Sequence, residues 1–168
     1  MSPAAFDPLR MLEALRRHEV RYVLIGGFAG RLLGSPTVTN DLDVCYARDD
    51  RNLERLSDAL RELGARLRGV DDDVPFLLDA RTLRAGDAFT LVTDAGNLDV
   101  FAYPSGSGGY ETLHRTAETL DIDGHPVSVA AVEDLIRMKL AAGRPKDRVE
   151  VEILSALQDE IERGIRPD

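Results

Sequence analysis

The chain has 168 residues, enough for one domain or one domain with a small appendage, and 43% of them are hydrophobic, which supplies a core. Its 21 Lys and Arg against 30 Asp and Glu give a formal charge of −9, which excludes coating a nucleic-acid backbone over a broad face but leaves room for a local basic pocket at a nucleic-acid end. A single cysteine, no Cys/His cluster with zinc spacing, no apolar run near the ~20 residues of a membrane span and no signal-peptide start together predict a soluble cytoplasmic protein with no membrane partner.

In chain order, Pro8 to His18 reads as a helix with Leu9, Leu12 and Leu15 on one side. Tyr22 to Ile25 is a short continuous apolar run, the mark of a buried strand, and Gly26-Gly27 ends it. Phe28 to Leu33 makes a short helix stopped by Gly34-Ser35-Pro36. Asp41 to Tyr46 alternates, with Leu42, Val44 and Tyr46 facing one way and Asp41, Asp43 and Cys45 the other. A longer helix from about Asp50 carries Leu53, Leu56, Leu60 and Leu63 as one stripe. Ala65 to Arg68 reads as a strand, Asp71 to Pro75 as an acidic loop, and Phe76 to Leu78 as a further strand.

Phe89 to Thr93 and Leu98 to Phe101 are strands joined by an Asp94-Ala95-Gly96-Asn97 turn. Ser105 to Gly109 is flexible, and Tyr110 to Glu118 reads as a helix. Asp123-Gly124 turns a second hairpin between Leu120-Asp121-Ile122 and Val127-Ser128-Val129. Ala131 to Ala142 and Pro145 to Arg163 close the chain as helices. The expected fold class is α/β, with a mixed sheet, because hairpins and helices interleave. No internal repeat or linker interrupts residues 1–168, which read as one domain.

The chemistry concentrates in an ordered pattern. Two carboxylates two apart on a strand, Asp41 and Asp43, project from one face, where they repel each other unless a cation sits between them. Oxygen-only ligands suit Mg²⁺. Asp99, flanked by Leu98 and Val100, offers a third carboxylate from another strand, completing a two-metal site for in-line phosphoryl transfer, where Mn²⁺ can substitute. Gly26 and Gly27 at a strand-to-helix turn let backbone amides approach a phosphate. Taken singly, a glycine pair is also an ordinary turn, and Asp-x-Asp in an acid-rich chain is also a solvated edge.

In that order, Gly26, Gly27, Asp41, Asp43 and Asp99 resemble the motif of the nucleotidyltransferase superfamily. The closing segment from Val129 to Lys139 and from Ala141 to Asp147 is similar to the small bacterial branch near the AbiEii-type toxins and minimal nucleotidyltransferases. The resemblance runs from about Tyr22 to Leu157. It implies a nucleotidyltransferase fold, with a catalytic core at about 20–103 and a C-terminal hairpin and helices at about 110–163. It implies metal-dependent transfer of a nucleoside monophosphate from a nucleoside triphosphate to an RNA end, a protein or a small hydroxylated molecule. A toxin role with an antitoxin partner follows from the branch. Asp41 and Asp43 would hold Mg²⁺, and Asp99 would share a metal and help deprotonate the acceptor. Many relatives carry an Arg shortly before the first aspartate, where this chain has Ser35 to Asn40; there Thr37 and Thr39 can hydrogen-bond a phosphate without bringing charge. A non-catalytic module that keeps the fold and binds a nucleotide or a partner is the rival reading.

The 21 basic residues are 19 Arg and two Lys, and both lysines, Lys139 and Lys146, fall in one short window. On a helix, Val132, Leu135 and Ile136 define an apolar stripe with Lys139 at its centre. Such a lysine either snorkels past the core or aims a compact ammonium at the triphosphate. Arg144 and Lys146 open the last helix, where cations oppose the dipole and an anion nearby would explain them. That anion is a phosphate or Asp147. Cys45 reads as a small buried filler, with no His partner in reach.

Overall fold

The computed structural model describes residues 4–71 and 78–164. Helix α1 (Pro8–Arg17) starts where Asp7 accepts a hydrogen bond from the Arg10 amide, with proline in its first turn. Its buried stripe is Met11, Leu12, Ala14 and Leu15. Leu9, expected on that stripe, is 44% exposed, because the helical turn carries it away from the Met11–Leu15 face.

Strand β1 (Tyr22–Ile25) runs directly into α2 (Gly26–Leu32), so both glycines belong to the helix's first turn and the helix begins two residues before the expected Phe28. Strand β2 (Asp41–Tyr46) keeps Leu42, Val44 and Tyr46 fully buried. Asp49 caps α3 (Asp50–Glu62), whose Leu53, Leu56 and Leu60 are buried as the spacing requires, with Leu63 buried just past its end. Strand β3 (Arg66–Leu67) is only two residues long. The acidic loop and the strand expected at Phe76 to Leu78 fall mostly outside the described residues. Leu78 itself is buried but not in a strand.

Helix α4 (Ala80–Ala85), capped by Asp79, had no foreseeable apolar period because it buries only Leu83. Strands β4 (Ala88–Thr93) and β5 (Gly96–Phe101) meet at a tighter turn than expected. Gly96 and Asn97 belong to β5, since Thr93 pairs with Gly96 and its hydroxyl donates to the Gly96 carbonyl at 2.8 Å. Helix α5 (Tyr110–Thr116) stops short of Glu118, which opens β6 (Glu118–Ile122). Asp123 and Gly124, at φ of 52° and 85°, turn β6 into β7 (His125–Val129). The chain closes with α6 (Val132–Ala142) and α7 (Pro145–Glu162).

Among the described residues seven strands form one mixed sheet in the order β3-β4-β5-β2-β1-β7-β6. The β1–β2, β3–β4, β4–β5 and β6–β7 pairs are antiparallel, while β1–β7 and β2–β5 are parallel. The central parallel pair matters most. It sets Asp41 opposite Asn97 and Asp43 opposite Asp99. Their neighbours Leu42, Val44, Leu98 and Val100 point the other way into the core and are fully buried. Helices α6 and α7 pack on each other and overlie the carboxylate face.

Asn52 ties this framework together. It is 1% exposed. Its Oδ1 accepts from the Arg21 amide at 2.7 Å, and its Nδ2 donates to the Arg21 and Ala47 carbonyls at 3.0 and 2.6 Å. It thus joins α3 to the entrance of β1 and the exit of β2. Asn52→Ala should lower unfolding free energy by about 2–3 kcal/mol, since it strands buried backbone groups. Guanidinium titration should show a reduced midpoint with an unchanged slope.

Candidate active site

The register of β2 on β5 places Asp43 and Asp99 side by side on one face, with Asp41 two residues back along the same strand. Adjacent strands stand about 4.8 Å apart. Two like charges at that separation repel by roughly 3.5 kcal/mol at an effective dielectric of 20. Burial pushes the Asp43 carboxyl up to about 7, and the negative charges of Asp99 and Asp41 add to the rise, while Lys139 opposes it. Asp99, 9% exposed, is also raised by burial, and Arg68 pulls against that rise.

Two contacts complete the carboxylate row. The Arg68 guanidinium donates to Asp99 Oδ1 at 2.6 Å and to the Leu91 carbonyl at 2.8 Å. The Asn97 amide donates to Asp41 Oδ1 at 3.3 Å. Neither residue was singled out from the sequence. Asn97 was hidden by assigning it to the turn, although it precedes Asp99 by two on a strand and so shares its face. For Arg68, one of 19 arginines, no sequence signal existed.

Gly26 explains how the first helix can start so close to this row. Its φ is +74°, and a Cβ there would collide with the Asp43 carboxylate. Gly27 leaves more clearance, with Thr39 Cβ 3.2 Å from where its own Cβ would stand.

A cavity of about 470 Å³ lies over the carboxylates. It brings together nine of the ten residues singled out from the sequence: Gly27, Thr37, Thr39, Asp41, Asp43, Asp99, Lys139, Arg144 and Lys146. The tenth, Gly26, lines an adjoining cavity of about 430 Å³ that shares Asp43, Phe101, Lys139 and Arg144 with the first. The threonine hydroxyls are engaged locally. Thr37 donates to Glu150 Oε1 at 2.6 Å, and Thr39 donates to the Asp41 carbonyl at 3.3 Å.

The basic side has a different organisation from the one expected. Asp147, 2% exposed, accepts from Arg144 Nε at 2.8 Å and stands 3.6 Å from Lys139 Nζ. Arg144 and Asp147 form a reciprocal cap at the start of α7. The anion that offsets the cations at this helix end is therefore Asp147, which compensates Arg144 and Lys139 rather than Lys146. The Arg144 guanidinium beside Asp147 holds that carboxyl below the usual range. Lys139, its side chain 20% exposed, pairs with Asp147 and lines both cavities with Asp43, whose carboxyl it holds down.

The donor set of Asp41, Asp43 and Asp99 is all oxygen, buried and mutually repelling, which fits a hard divalent cation in kind. Among the described residues no three Asp, Glu, His or Cys side chains are already gathered around one ion position. The Arg68 and Asn97 contacts each engage one oxygen of an outer carboxylate. Cys45 is fully buried, its sulfur 3.6 Å from the Ala102 carbonyl, and burial pushes its thiol up to about 12, so it is no nucleophile.

A mixed sheet carrying an Asp-x-Asp strand beside a third acidic strand is the architecture of a nucleotidyltransferase. The sequence profile of the aminoglycoside-2''-adenylyltransferases matches residues 9–154, and the chain belongs to that family. Membership makes it a nucleotidyltransferase and sets aside the non-catalytic reading. The AbiEii-type branch is not supported by these matches. No curated protein matches the sequence.

Three solved structures share the fold. The chain is 18% identical to ANT(2'')-Ia in complex with adenylyl-2''-tobramycin, covering 93% of this chain and 89% of that one with a TM-score of 0.57. It is 13% identical to the lincomycin-bound lincosamide adenylyltransferase LnuA, covering 91% and 99% with a TM-score of 0.58. It is 22% identical to an antigenic nucleotidyltransferase-like protein from Paracoccidioides brasiliensis, covering 93% and 78% with a TM-score of 0.55. Among the described residues no helix is long and apolar enough to cross a membrane.

Asp43 has a pH signature. Its carboxyl rises from an ordinary 3.8 to about 7 on folding. The folded state therefore favours the protonated form, and the stability that protonation contributes is lost as pH climbs from about 4 through 7. Asn imitates the neutral carboxyl. In chelator-treated protein, Asp43→Asn should raise the melting temperature more at pH 8 than at pH 5. An equal shift at both pH values would show that Asp43 is not the group that titrates.

Proposed function

We propose that this chain transfers a nucleoside monophosphate from a nucleoside triphosphate to the hydroxyl of a small molecule. The observation that carries the reading is the pairing of Asp43 with Asp99, with Asp41 on the same face, beneath a cavity that also holds Lys139 and Lys146. The names of the relatives support the acceptor class, one carrying an adenylylated aminoglycoside and another lincomycin. An RNA end is the weaker acceptor, since a chain of charge −9 repels an extended phosphate backbone away from this pocket, and a protein is weaker because the relatives' names carry small molecules. With it go the toxin role and the antitoxin partner.

The transfer balances without a further reactant. The acceptor hydroxyl oxygen bonds to the α-phosphorus, the bond from that phosphorus to the bridging oxygen of pyrophosphate breaks, and pyrophosphate leaves with the electron pair. The hydroxyl proton goes to Asp99, whose Oδ1 is held by Arg68. Lys139 and Lys146 meet the charge of the leaving pyrophosphate, and Asp147 keeps Lys139 and Arg144 in place. Mg²⁺, with Mn²⁺ as a substitute, would be held by Asp41, Asp43 and Asp99 and would draw charge off the phosphate.

The test is transfer of label from each of the four α-labelled triphosphates, with Mg²⁺, to tobramycin, to lincomycin and to the small-molecule, RNA and protein fractions of a cell extract. Label should move to a small molecule in at least one arm, and Asp99→Asn should nearly abolish it. Label recovered only in RNA or protein would overturn the acceptor class. Lys139→Met should keep the fold, because Arg144 still satisfies Asp147 and methionine fills the stem volume. Affinity for a non-hydrolysable triphosphate with Mg²⁺ should fall about ten- to a hundredfold, the worth of a charge-assisted hydrogen bond. Unchanged affinity would make Lys139 a snorkelling core lysine.

A further inference from the structure

Another cavity, of about 260 Å³, opens at the far end of β2 from the carboxylate row, with Tyr46, Arg48, Tyr103 and Tyr110 among its walls. Tyr46 stands three residues beyond Asp43 on the strand, a distance of about 10 Å. Its hydroxyl sets this cavity apart. Tyr46 is fully buried, and its Oη has no hydrogen-bond partner among the described residues. Burial pushes the phenol up to about 12, so at neutral pH it remains an O–H donor. The Arg48 charge opposes that rise and the Tyr103 phenol adds to it, so the hydroxyl lies near two side chains that line the cavity. A buried phenol usually finds an acceptor, and the open space beside this one is where an acceptor can enter.

Arg48 has donors to spare. Its guanidinium lies over the Tyr103 ring, 5.6 Å from the centroid. One Nη donates to the Arg84 carbonyl at 2.5 Å, while the other stands 3.6 Å from Asp87, outside good hydrogen-bond distance. A guanidinium carries five N–H donors in a fixed fork, so several remain for a ligand. Arg21, on the same cavity, is already paired with Asp49 and lies over the Tyr110 ring. We propose that this cavity is a binding site separate from the transfer site, and that it takes a small organic carboxylate whose oxygens accept from the Tyr46 hydroxyl and the Arg48 guanidinium.

Size and donor chemistry define the ligand. A water occupies about 30 Å³ of the liquid, so the cavity has room for roughly nine waters, or for a ligand of about ten non-hydrogen atoms. That is one ring bearing a carboxylate, or a short-chain acid. A neutral O–H and the free edge of one guanidinium match the two oxygens of a carboxylate. Ala47 and Ala102 offer apolar wall to the ligand's body, where a bare inorganic anion gains nothing. Tyr103 also lines the cavity of about 430 Å³ beside Asp43, so the two sites share one wall while their polar groups stay apart.

Tyr46→Phe isolates the hydroxyl. It removes only an unpartnered oxygen, so the free chain should keep its melting temperature or gain slightly. The full chain is titrated with 4-fluorobenzoate and followed by ¹⁹F NMR and by the ¹⁵N amide shifts of Ala47, Gly108 and Gly109, which line the cavity. The parent should bind with a Kd of about 1 mM or tighter, and those amides should move. Tyr46→Phe should weaken binding about ten- to a hundredfold, the worth of a charge-assisted hydrogen bond. Excess inorganic phosphate should not displace the probe. No binding by the parent would overturn the proposal and leave the hydroxyl to water. Equal affinity in the parent and Tyr46→Phe, or shifts confined to the amides of Gly27 and Lys139, would put the probe elsewhere and overturn the site. Displacement by phosphate would overturn the carboxylate assignment.

Discussion

Asp43 and Asp99 repel each other across the parallel pairing of β2 and β5, and the rest of the site is arranged around that repulsion. The pairing cannot slip to relieve it. A shift of one residue would turn Leu42, Val44, Leu98 and Val100 out of the core, and their burial far outweighs roughly 3.5 kcal/mol of carboxylate repulsion. The sheet therefore holds two carboxylates together against their own preference. A single hydrogen bond from Arg68, worth about 1.5–3 kcal/mol, offsets part of the strain and leaves the remainder for a proton or a cation. Burial is the main reason the Asp43 carboxyl is pushed up to about 7, and the charges of Asp99 and Asp41 add to that rise.

The same constraint explains features that otherwise look unrelated. Gly26 must lack a side chain because the Asp43 carboxylate occupies the space a Cβ would need. Asp147 is buried although it is acidic and close to an acidic row. It can be so because Arg144 and Lys139 meet it, and they in turn bring positive charge to the rim of the cavity. The cations at the head of α7 oppose the helix dipole, yet they are neutralised within the first turn by the cap they form. A chain of net charge −9 thereby keeps a local basic edge where a triphosphate would lie.

The sequence was most informative where one period dominated. The Asp-x-Asp strand and the leucine stripe of α3 could be read because alternation and helical spacing each imposed a single burial pattern. The Leu9 error shows the limit, since an i, i+3 series drifts around a helix and its centre falls on Met11 to Leu15 instead. Short elements such as α4, with Leu83 as its one buried residue, carry no period at all. The sequence order of Gly26, Gly27, Asp41, Asp43 and Asp99 marked the site. What it could not reveal was pairing. That Asp43 stands opposite Asp99 rather than Asn97, and that Arg68 is the counter-charge of Asp99, depends on strand register over more than thirty residues of separation, whereas Asp147, three residues from Arg144, was one of the two anions the local sequence offered.

The contrast between 19 arginines and two lysines acquires a physical sense at this site. Arginine's planar fork is suited to fixing a carboxylate in one orientation, and it does so at Asp99 through Arg68 and at Asp147 through Arg144, where two guanidinium nitrogens engage both carboxylate oxygens at 2.8 and 3.2 Å. Those contacts set geometry and are costly to break. Lysine offers a point charge on a flexible stem. Lys139 stands 3.6 Å from Asp147, outside good hydrogen-bond distance, and lines the same cavities as Asp43. It can therefore turn from one anion to another without dismantling a bidentate pair. In the proposed transfer the negative charge moves from a bound triphosphate to a departing pyrophosphate, and a loosely held ammonium can follow it where a locked guanidinium cannot.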